Sequence, residues 1–236
     1  MLTKIFNRLN NILYPYNIYY KKTFSQCGED IIIDFIFQQF KVKNPIYIDI
    51  GAHHPYYLSN TAFFYNKGCL GINVEPDPQL FELIKKERPN DICLNVGVGE
   101  KSGTTANFYI MSESTLNTFS KEEADRYASY GNKSIKEIIN IPLLTVNDII
   151  ATYLKNQIPN FISLDVEGMD FLIIKSFDFI KYRPEVLCIE TLSYTENNTE
   201  EKLKDIINYV ESKGYFLYAD TFINSIFVEK EKWKNR

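Results

Sequence analysis

Ile46-Tyr47-Ile48-Asp49-Ile50-Gly51-Ala52-His53-His54-Pro55 reads as a buried strand running straight into a turn. Ile46 to Ile50 is apolar and β-branched apart from one acid, Asp49, set near its end. Gly51 follows at once, the residue type that lets a strand turn sharply and lets something approach the backbone. A second apolar strand, Cys69 to Val74, ends in Glu75-Pro76. Strand, glycine turn, helix and second strand ending in an acid is the layout of a nucleoside-binding α/β half. In that layout the turn holds the polar tail of the ligand, and the acid accepts hydrogen bonds from ribose hydroxyls.

The kind of nucleoside follows from what the turn lacks. A dinucleotide fingerprint needs three glycines, the second for pyrophosphate approach and the third for helix packing. Here Ala52, His53, His54 and Pro55 follow Gly51, so the pattern stops after its first glycine. A turn with one glycine and a preceding acid suits a ligand with an ammonium and no pyrophosphate, such as S-adenosylmethionine. An ordinary βα turn in a nucleotide-free α/β domain is the alternative.

Composition sets the outer bounds. A chain of 236 residues with 45% hydrophobic content can bury the core of one large α/β domain. The net charge of -4 argues against a protein built to bind nucleic acid. Cys27, Cys69, Cys93 and Cys188 show no paired metal spacing, and the last three sit in apolar runs, as buried thiols of a reducing cytosol do. No apolar run approaches the roughly 18 residues of a membrane span. The first residues lack the apolar core and cleavage site of a secretory leader, so a cytoplasmic location is expected.

The first 24 residues are read as a basic amphipathic extension. Leu2, Ile5, Phe6, Leu9, Ile12 and Leu13 recur at helical spacing beside Lys4, Arg8, Lys21 and Lys22. Packing on the domain or on a second subunit of a homodimer is one reading, and contact with the inner membrane surface is the other. Residues 25–236 form a single domain. Ser25-Gln26-Cys27-Gly28-Glu29-Asp30 opens a helix to about Phe40, with Ser25 as cap; Gln26 and its neighbours are placed to line a ligand mouth. Asp77-Pro78 is an N-cap with proline at the first helical position. Strand three is Ile92 to Val96, and Gly97-Val98-Gly99 after it suits close approach of an adenine ring. Thr104 to Ile110 is a further strand.

Residues 111–141 then break the alternating rhythm. They hold a polar loop (Ser112, Ser114, Thr115, Asn117, Thr118) and a helix capped by Ser120 carrying Tyr127 and Tyr130. Such an insertion is either an acceptor-binding element or a surface decoration. Strand four, Phe161 to Asp165, leads into Val166-Glu167-Gly168-Met169-Asp170 and a helix Phe171 to Ile180. Strand five, Val186 to Glu190, again ends in an acid. Thr199 caps the next helix, and a closing hairpin, Tyr215 to Ala219 and Ser225 to Glu229, has its second strand antiparallel. Open α/β sheets bind ligands at the carboxyl edge where these acids gather.

Taken together these segments resemble the FkbM-type S-adenosylmethionine-dependent methyltransferases. The matching pieces are Ser25 to Asp30, Asp49 to Pro55, Ser59-Asn60-Thr61, Gly71 to Pro76, Asn95 with Gly97, and Leu164 to Gly168. A tryptophan common beside the second strand is absent, with Cys69 and Leu70 in its place. The resemblance implies a doubly wound Rossmann-like sheet of seven strands, the last antiparallel. It also implies cofactor contacts at Asp49, Gly51 and Glu75, and O-methylation of a sugar hydroxyl in many members.

The expected site follows. Gln26, Asp49, Gly51, Ala52, Glu75, Pro76, Asn95, Val96, Gly97 and Asp165 are the expected cofactor residues. Asp165 and Glu190 end neighbouring strands, where two like charges need a proton or a cation between them; Mg²⁺ is the expected cation. His53 is the candidate general base, and Asp165 and Glu167 are alternatives. The expected acceptor is a surface glycan or a nucleotide-linked sugar. Transfer to nitrogen or to a non-sugar acceptor, a nicotinamide-dependent oxidoreductase and a non-catalytic binding module are the competing readings.

Overall fold

The structure is a computed structural model that describes residues 20–166, 168–193 and 200–236. Most of the 1–24 extension, the acid Glu167 and the expected cap Thr199 lie outside the described residues. The first half runs α1 (Glu29–Phe40), β1 (Tyr47–Ile50), α2 (Ala62–Asn66), β2 (Gly71–Val74), α3 (Pro78–Glu87) and β3 (Ile92–Leu94). Then come β4 (Gly97–Val98), β5 (Thr104–Met111), α4 (Lys121–Ser129), β6 (Ile135–Leu144) and α5 (Val146–Tyr153). The second half is β7 (Phe161–Leu164), α6 (Asp170–Ser176), β8 (Val186–Glu190), α7 (Lys204–Ser212), β9 (Tyr215–Asp220), β10 (Asn224–Glu229) and α8 (Lys230–Lys234).

The main sheet has seven strands in the order β3-β2-β1-β7-β8-β10-β9. The pairs from β3 to β8 are parallel, and β10 is antiparallel to both neighbours. This is the doubly wound α/β architecture expected from the sequence. Alternate side chains of each strand feed opposite layers. Ile48, Ile50, Ile162, Leu164, Leu187 and Ile189 pack against α5, α6 and α7. Tyr47, Phe161, Val186 and Cys188 face the other way, onto α1 and α2. The chain order reverses between β1 and β7, the place where such sheets open a ligand crevice at their carboxyl edge.

Several local expectations shift. Ser25 is not the N-cap of α1; Gly28 takes that position in a left-handed conformation. The acids reach back instead: Asp30 accepts from Thr23, Phe24 and Ser25, and Glu29 from Cys27, Thr221 and Asn224. The segment before α1 is thereby tied to the β9–β10 hairpin. Helix α6 ends at Ser176, short of Ile180. Asp77 and Ser120 cap their helices as expected, and Thr145, from the same residue class, caps α5.

The largest difference lies in residues 111–141. Their second part is strand β6, paired antiparallel along β5 and parallel to β4 in a separate three-stranded sheet. Lys136, Glu137 and Asn140 interrupt the apolar run, and most of β6 is not buried, so it lacks the periodicity of a core strand. Tyr109, Met111, Leu116, Ala124 and Tyr127 give the insertion a small core of its own.

Candidate active site

A cavity of about 590 Å³ opens at the carboxyl ends of β1, β2, β7 and β8. That volume is in the usual range of small-molecule sites. Gln26, Asp49, Gly51, Ala52, His53, Glu75, Pro76, Val96, Gly97, Asp165 and Glu190 all line it. Asn95 does not. Its amide donates to the carbonyls of Glu75 and Pro76 at 2.9 Å each, so it braces the turn that presents Glu75 from behind.

Glu75 is held from both sides. His53 N–H donates to one carboxyl oxygen and Asp77 N–H to the other, each at 2.8 Å. Burial pushes the Glu75 carboxyl up to about 8, while the two amides pull the other way. Each oxygen keeps a second acceptor direction, and the two together suit a vicinal diol.

Gly51 turns the chain with φ 80°, and a Cβ there would overlap the carbonyl oxygen of Asp165. The group that approaches this backbone is thus the end of β7. Gly51 and Ala52 N–H both donate to Val74 carbonyl at 3.1 Å, which locks the turn across the ends of β1 and β2.

Gly97 makes room for the ring of Phe119, not directly for a ligand. Phe119 packs on Phe108 with the rings tilted, 4.7 Å between ring centres. With Leu80, Val96, Val98 and Leu116 these rings form an apolar slot beside Glu75. Asn117 ties the insertion to this end, donating to Asp77 at 3.0 Å and accepting from Met111 N–H at 2.8 Å.

The Asp165 and Glu190 side chains lie against each other at the ends of β7 and β8. Burial, with the charge of Asp49 as a lesser cause, pushes the Asp165 carboxyl up to about 6, while Glu190 draws it down. Burial also pushes the neighbouring Asp170 up, to about 8. The expected Mg²⁺ finds no support among the described residues. Among the described residues no third His, Cys, Asp or Glu joins such a set, and a hard cation wants six or more oxygens.

His53 lines the cavity with φ 51°, and its Nε2 lies 3.0 Å from Ser114 Oγ of the insertion. Burial and His54 lower its pKa, so the ring is neutral near pH 7. His54, which the sequence reading passed over, is a structural residue: its Nδ1 accepts from Tyr56 and Tyr57 N–H at 3.1 and 2.9 Å.

Sequence reasoning also missed the rim. Tyr57 and Phe222 line the mouth and stay 59% and 64% exposed. Phe222 sits at φ 76°, costly for a residue with a Cβ. Its N–H donates to Asp220 at 2.8 Å and its carbonyl accepts from Lys202 Nζ at 2.7 Å, which hold the ring at the mouth. Phe222, an exposed aromatic in a hairpin tip, carries no sequence signal that points to a site built mostly from the first half of the chain.

A doubly wound sheet with a buried, pinned acid and an apolar slot at its switch point is the arrangement of a Rossmann-like fold with a ligand crevice at its carboxyl edge. The sequence matches the methyltransferase FkbM domain over residues 49–217, and the chain belongs to that methyltransferase family. No curated protein matches it. Among solved structures it is similar to a TehB-like SAM-dependent methyltransferase from Corynebacterium glutamicum, at 10% identity and a TM-score of 0.44, covering 95% of this chain and 97% of that one. It is similar to precorrin-6y C5,15-methyltransferase from Geobacter metallireducens, at 13% identity and a TM-score of 0.39, covering 84% and 87%. A third is the 1,6-didemethyltoxoflavin-N1-methyltransferase of Burkholderia thailandensis with bound S-adenosylhomocysteine, at 9% identity and a TM-score of 0.41, covering 86% and 77%.

Proposed function

We propose that this methyltransferase binds S-adenosylmethionine and methylates a hydroxyl of a sugar, either in a surface glycan or in a nucleotide-linked sugar. The observation that carries the reading is Glu75, with both oxygens pinned and an apolar slot beside it. Ribose hydroxyls fit the first and adenine the second. The Asp49–Ala52 turn, at the other end, suits the methionine part. S-adenosylmethionine supplies a methyl group on a sulfonium, open to in-line displacement. The protein's part is to hold the acceptor oxygen about 3 Å behind that methyl and to keep water out.

The rim supports a sugar acceptor. Tyr57 and Phe222 offer ring faces for the apolar side of a pyranose, and Gln26, Ser193 and Glu113 stand nearby for its hydroxyls. The insertion serves both ends: Glu113 to Thr115 face His53, while Asn117 and Phe119 belong to the adenosine wall. No helix among the described residues is long and apolar enough to cross a membrane. Incubation with methyl-labelled S-adenosylmethionine and a panel of nucleotide sugars and glycans tests the reading. A sugar product heavier by one methylene supports it, and labelling of amine acceptors alone would sink it.

Phe222→Gly gives a sharper check of the rim. Relief of the left-handed backbone, worth roughly 1–2 kcal/mol, offsets the added chain freedom of glycine, roughly 0.5–1 kcal/mol. The melting temperature should hold or rise, the affinity for S-adenosylhomocysteine should stay the same, and the acceptor KM should rise about tenfold. A fall in melting temperature with unchanged KM would make Phe222 a structural residue.

For the acceptor's proton, the Asp165–Glu190 pair is the proposed receiver. Asp165 follows β7 beside Gly51, next to the methionine end, and its raised pKa makes it a better base than an ordinary carboxylate. His53 serves through its backbone N–H on Glu75. Asp165→Asn should slow turnover about a hundredfold, whereas His53→Ala, which keeps that N–H, should stay within about threefold. The reverse pattern would move the base to His53.

A further inference from the structure

Asp49 ends β1 at the cavity wall, 4% exposed. Two hydroxyls bond to it: Thr61 Oγ1 at 2.5 Å, and Ser163, its direct cross-strand neighbour on β7. A hydroxyl can usually turn its proton either way. Here both are constrained. Arg88 Nη2 donates to Thr61 Oγ1 at 3.0 Å, and a guanidinium has no acceptor, so the Thr61 proton points at Asp49. Asn60 Nδ2 donates to Ser163 Oγ at 3.1 Å, so the Ser163 proton points there too.

Arg88 is held in turn. It is fully buried, and its Nε donates to Asp91 at 2.9 Å. Asp91 also accepts from Tyr47, Gly71 N–H and Asn73. A buried guanidinium in this frame cannot rotate away from Thr61 without breaking its bonds to Asp91 and to Tyr47.

We propose that Arg88, acting through Thr61, with Asn60 acting through Ser163 as a second arm, is a positioning residue that keeps Asp49 an acceptor for the ammonium of the ligand. The inference rests on the S-adenosylmethionine reading of the cavity. It explains a buried cation and anion on the polar face of β1 with no exposed partner. Burial alone favours the protonated acid, and Arg88 with the two hydroxyls opposes that. The groups that face Asp49 are Arg88, Asp91, Thr61 and Ser163, and its charge is felt by Glu75 and Asp165 across the cavity.

Two probes separate the ends of the ligand. S-adenosylhomocysteine carries the ammonium, and 5′-methylthioadenosine has the same nucleoside without it. The ratio of their affinities reports the Asp49 end and cancels the titration of Glu75. In Thr61→Val the affinity for S-adenosylhomocysteine should fall about tenfold at pH 7 and that for methylthioadenosine should not move. Thr61→Ser should restore the ratio, and in the valine variant the ratio should recover as the pH is raised above 7 and Asp49 ionises. Ser163→Ala breaks the other arm and should lower the ratio in the same direction, which keeps the test open if the valine variant does not fold. An unchanged ratio in both variants, or an equal loss for both probes, overturns the relay. A parent protein that binds methylthioadenosine as tightly as S-adenosylhomocysteine overturns it as well. Binding of neither probe by the parent overturns the cavity reading together with the relay.

Discussion

Gly51→Ala is expected to abolish measurable binding of S-adenosylhomocysteine and to destabilise the fold. Two costs add. An alanine at φ 80° carries a left-handed penalty of roughly 1–2 kcal/mol. Its Cβ must also displace the Asp165 carbonyl, and forcing extra volume into such a site costs roughly 1–3 kcal/mol. Asp165 cannot retreat freely, because its N–H donates to Ile50 carbonyl at 3.0 Å. The shift therefore opens the β1–β7 seam, where the proposed methionine end and the proposed base meet. Urea unfolding and calorimetric titration measure both effects. A variant with parental stability and an affinity within threefold of the parent would mean that the turn has slack the geometry does not show.

Glu75→Gln should weaken S-adenosylhomocysteine about ten- to a hundredfold and lower the stability of the free protein as well. Loss of the charge-assisted bonds to ribose removes roughly 1.5–3 kcal/mol, or about ten- to a hundredfold. The structure adds a second loss. Two backbone N–H groups point at the two carboxyl oxygens, and the glutamine NH₂ must face one of them. One amide of His53 or Asp77 is then left without an acceptor, a cost of roughly 1–3 kcal/mol that falls on stability because the free and bound forms share it. An affinity within threefold of the parent would remove Glu75 from the ribose site.

The same residue gives a pH signature with two opposite signs. Its folded pKa, about 8, lies above its ordinary value of 4.5, so between these the folded chain holds a proton that the unfolded chain has released. Stability from this group is therefore present below about 4.5 and is lost as pH rises towards about 8. Asp170, also raised to about 8, acts in the same direction. Ligand binding runs the other way, since ribose hydroxyls donate to the carboxylate. The gain in melting temperature from S-adenosylhomocysteine should grow from pH 6 to pH 9 while the melting temperature of the free protein falls. A gain that shrinks over that range would contradict the assignment.

The order and type of most elements were legible in the sequence because strand and cap signals are local. Short apolar runs ending in acids gave β1, β2, β7 and β8 with the correct edge for the site. Asp77, Ser120 and Thr145 marked their helices because a cap acts on the next turn of the same chain. Strand β6 was not legible, because its partner β5 lies far along the chain and its surface is largely polar. Asn95 was placed in the cavity because its neighbours are, yet its side chain turns to the opposite side of the Glu75 turn.

What the sequence determined by itself was a doubly wound domain with a single-glycine turn and an acid at each central strand end. That follows from periodicity and from the residue types that a turn tolerates. Only the tertiary structure decided which groups those acids meet. Parallel register sets Asp49 beside Asn73 and Ser163 on one face, and Ser163 beside Cys188, a polar row across four strands that no local pattern shows. It brings Arg88 beneath Asp49, Glu190 against Asp165, and Phe222 from the far end of the chain to the cavity mouth. Hydrogen-bond direction depends on which groups meet, and only the packed chain decides which groups those are.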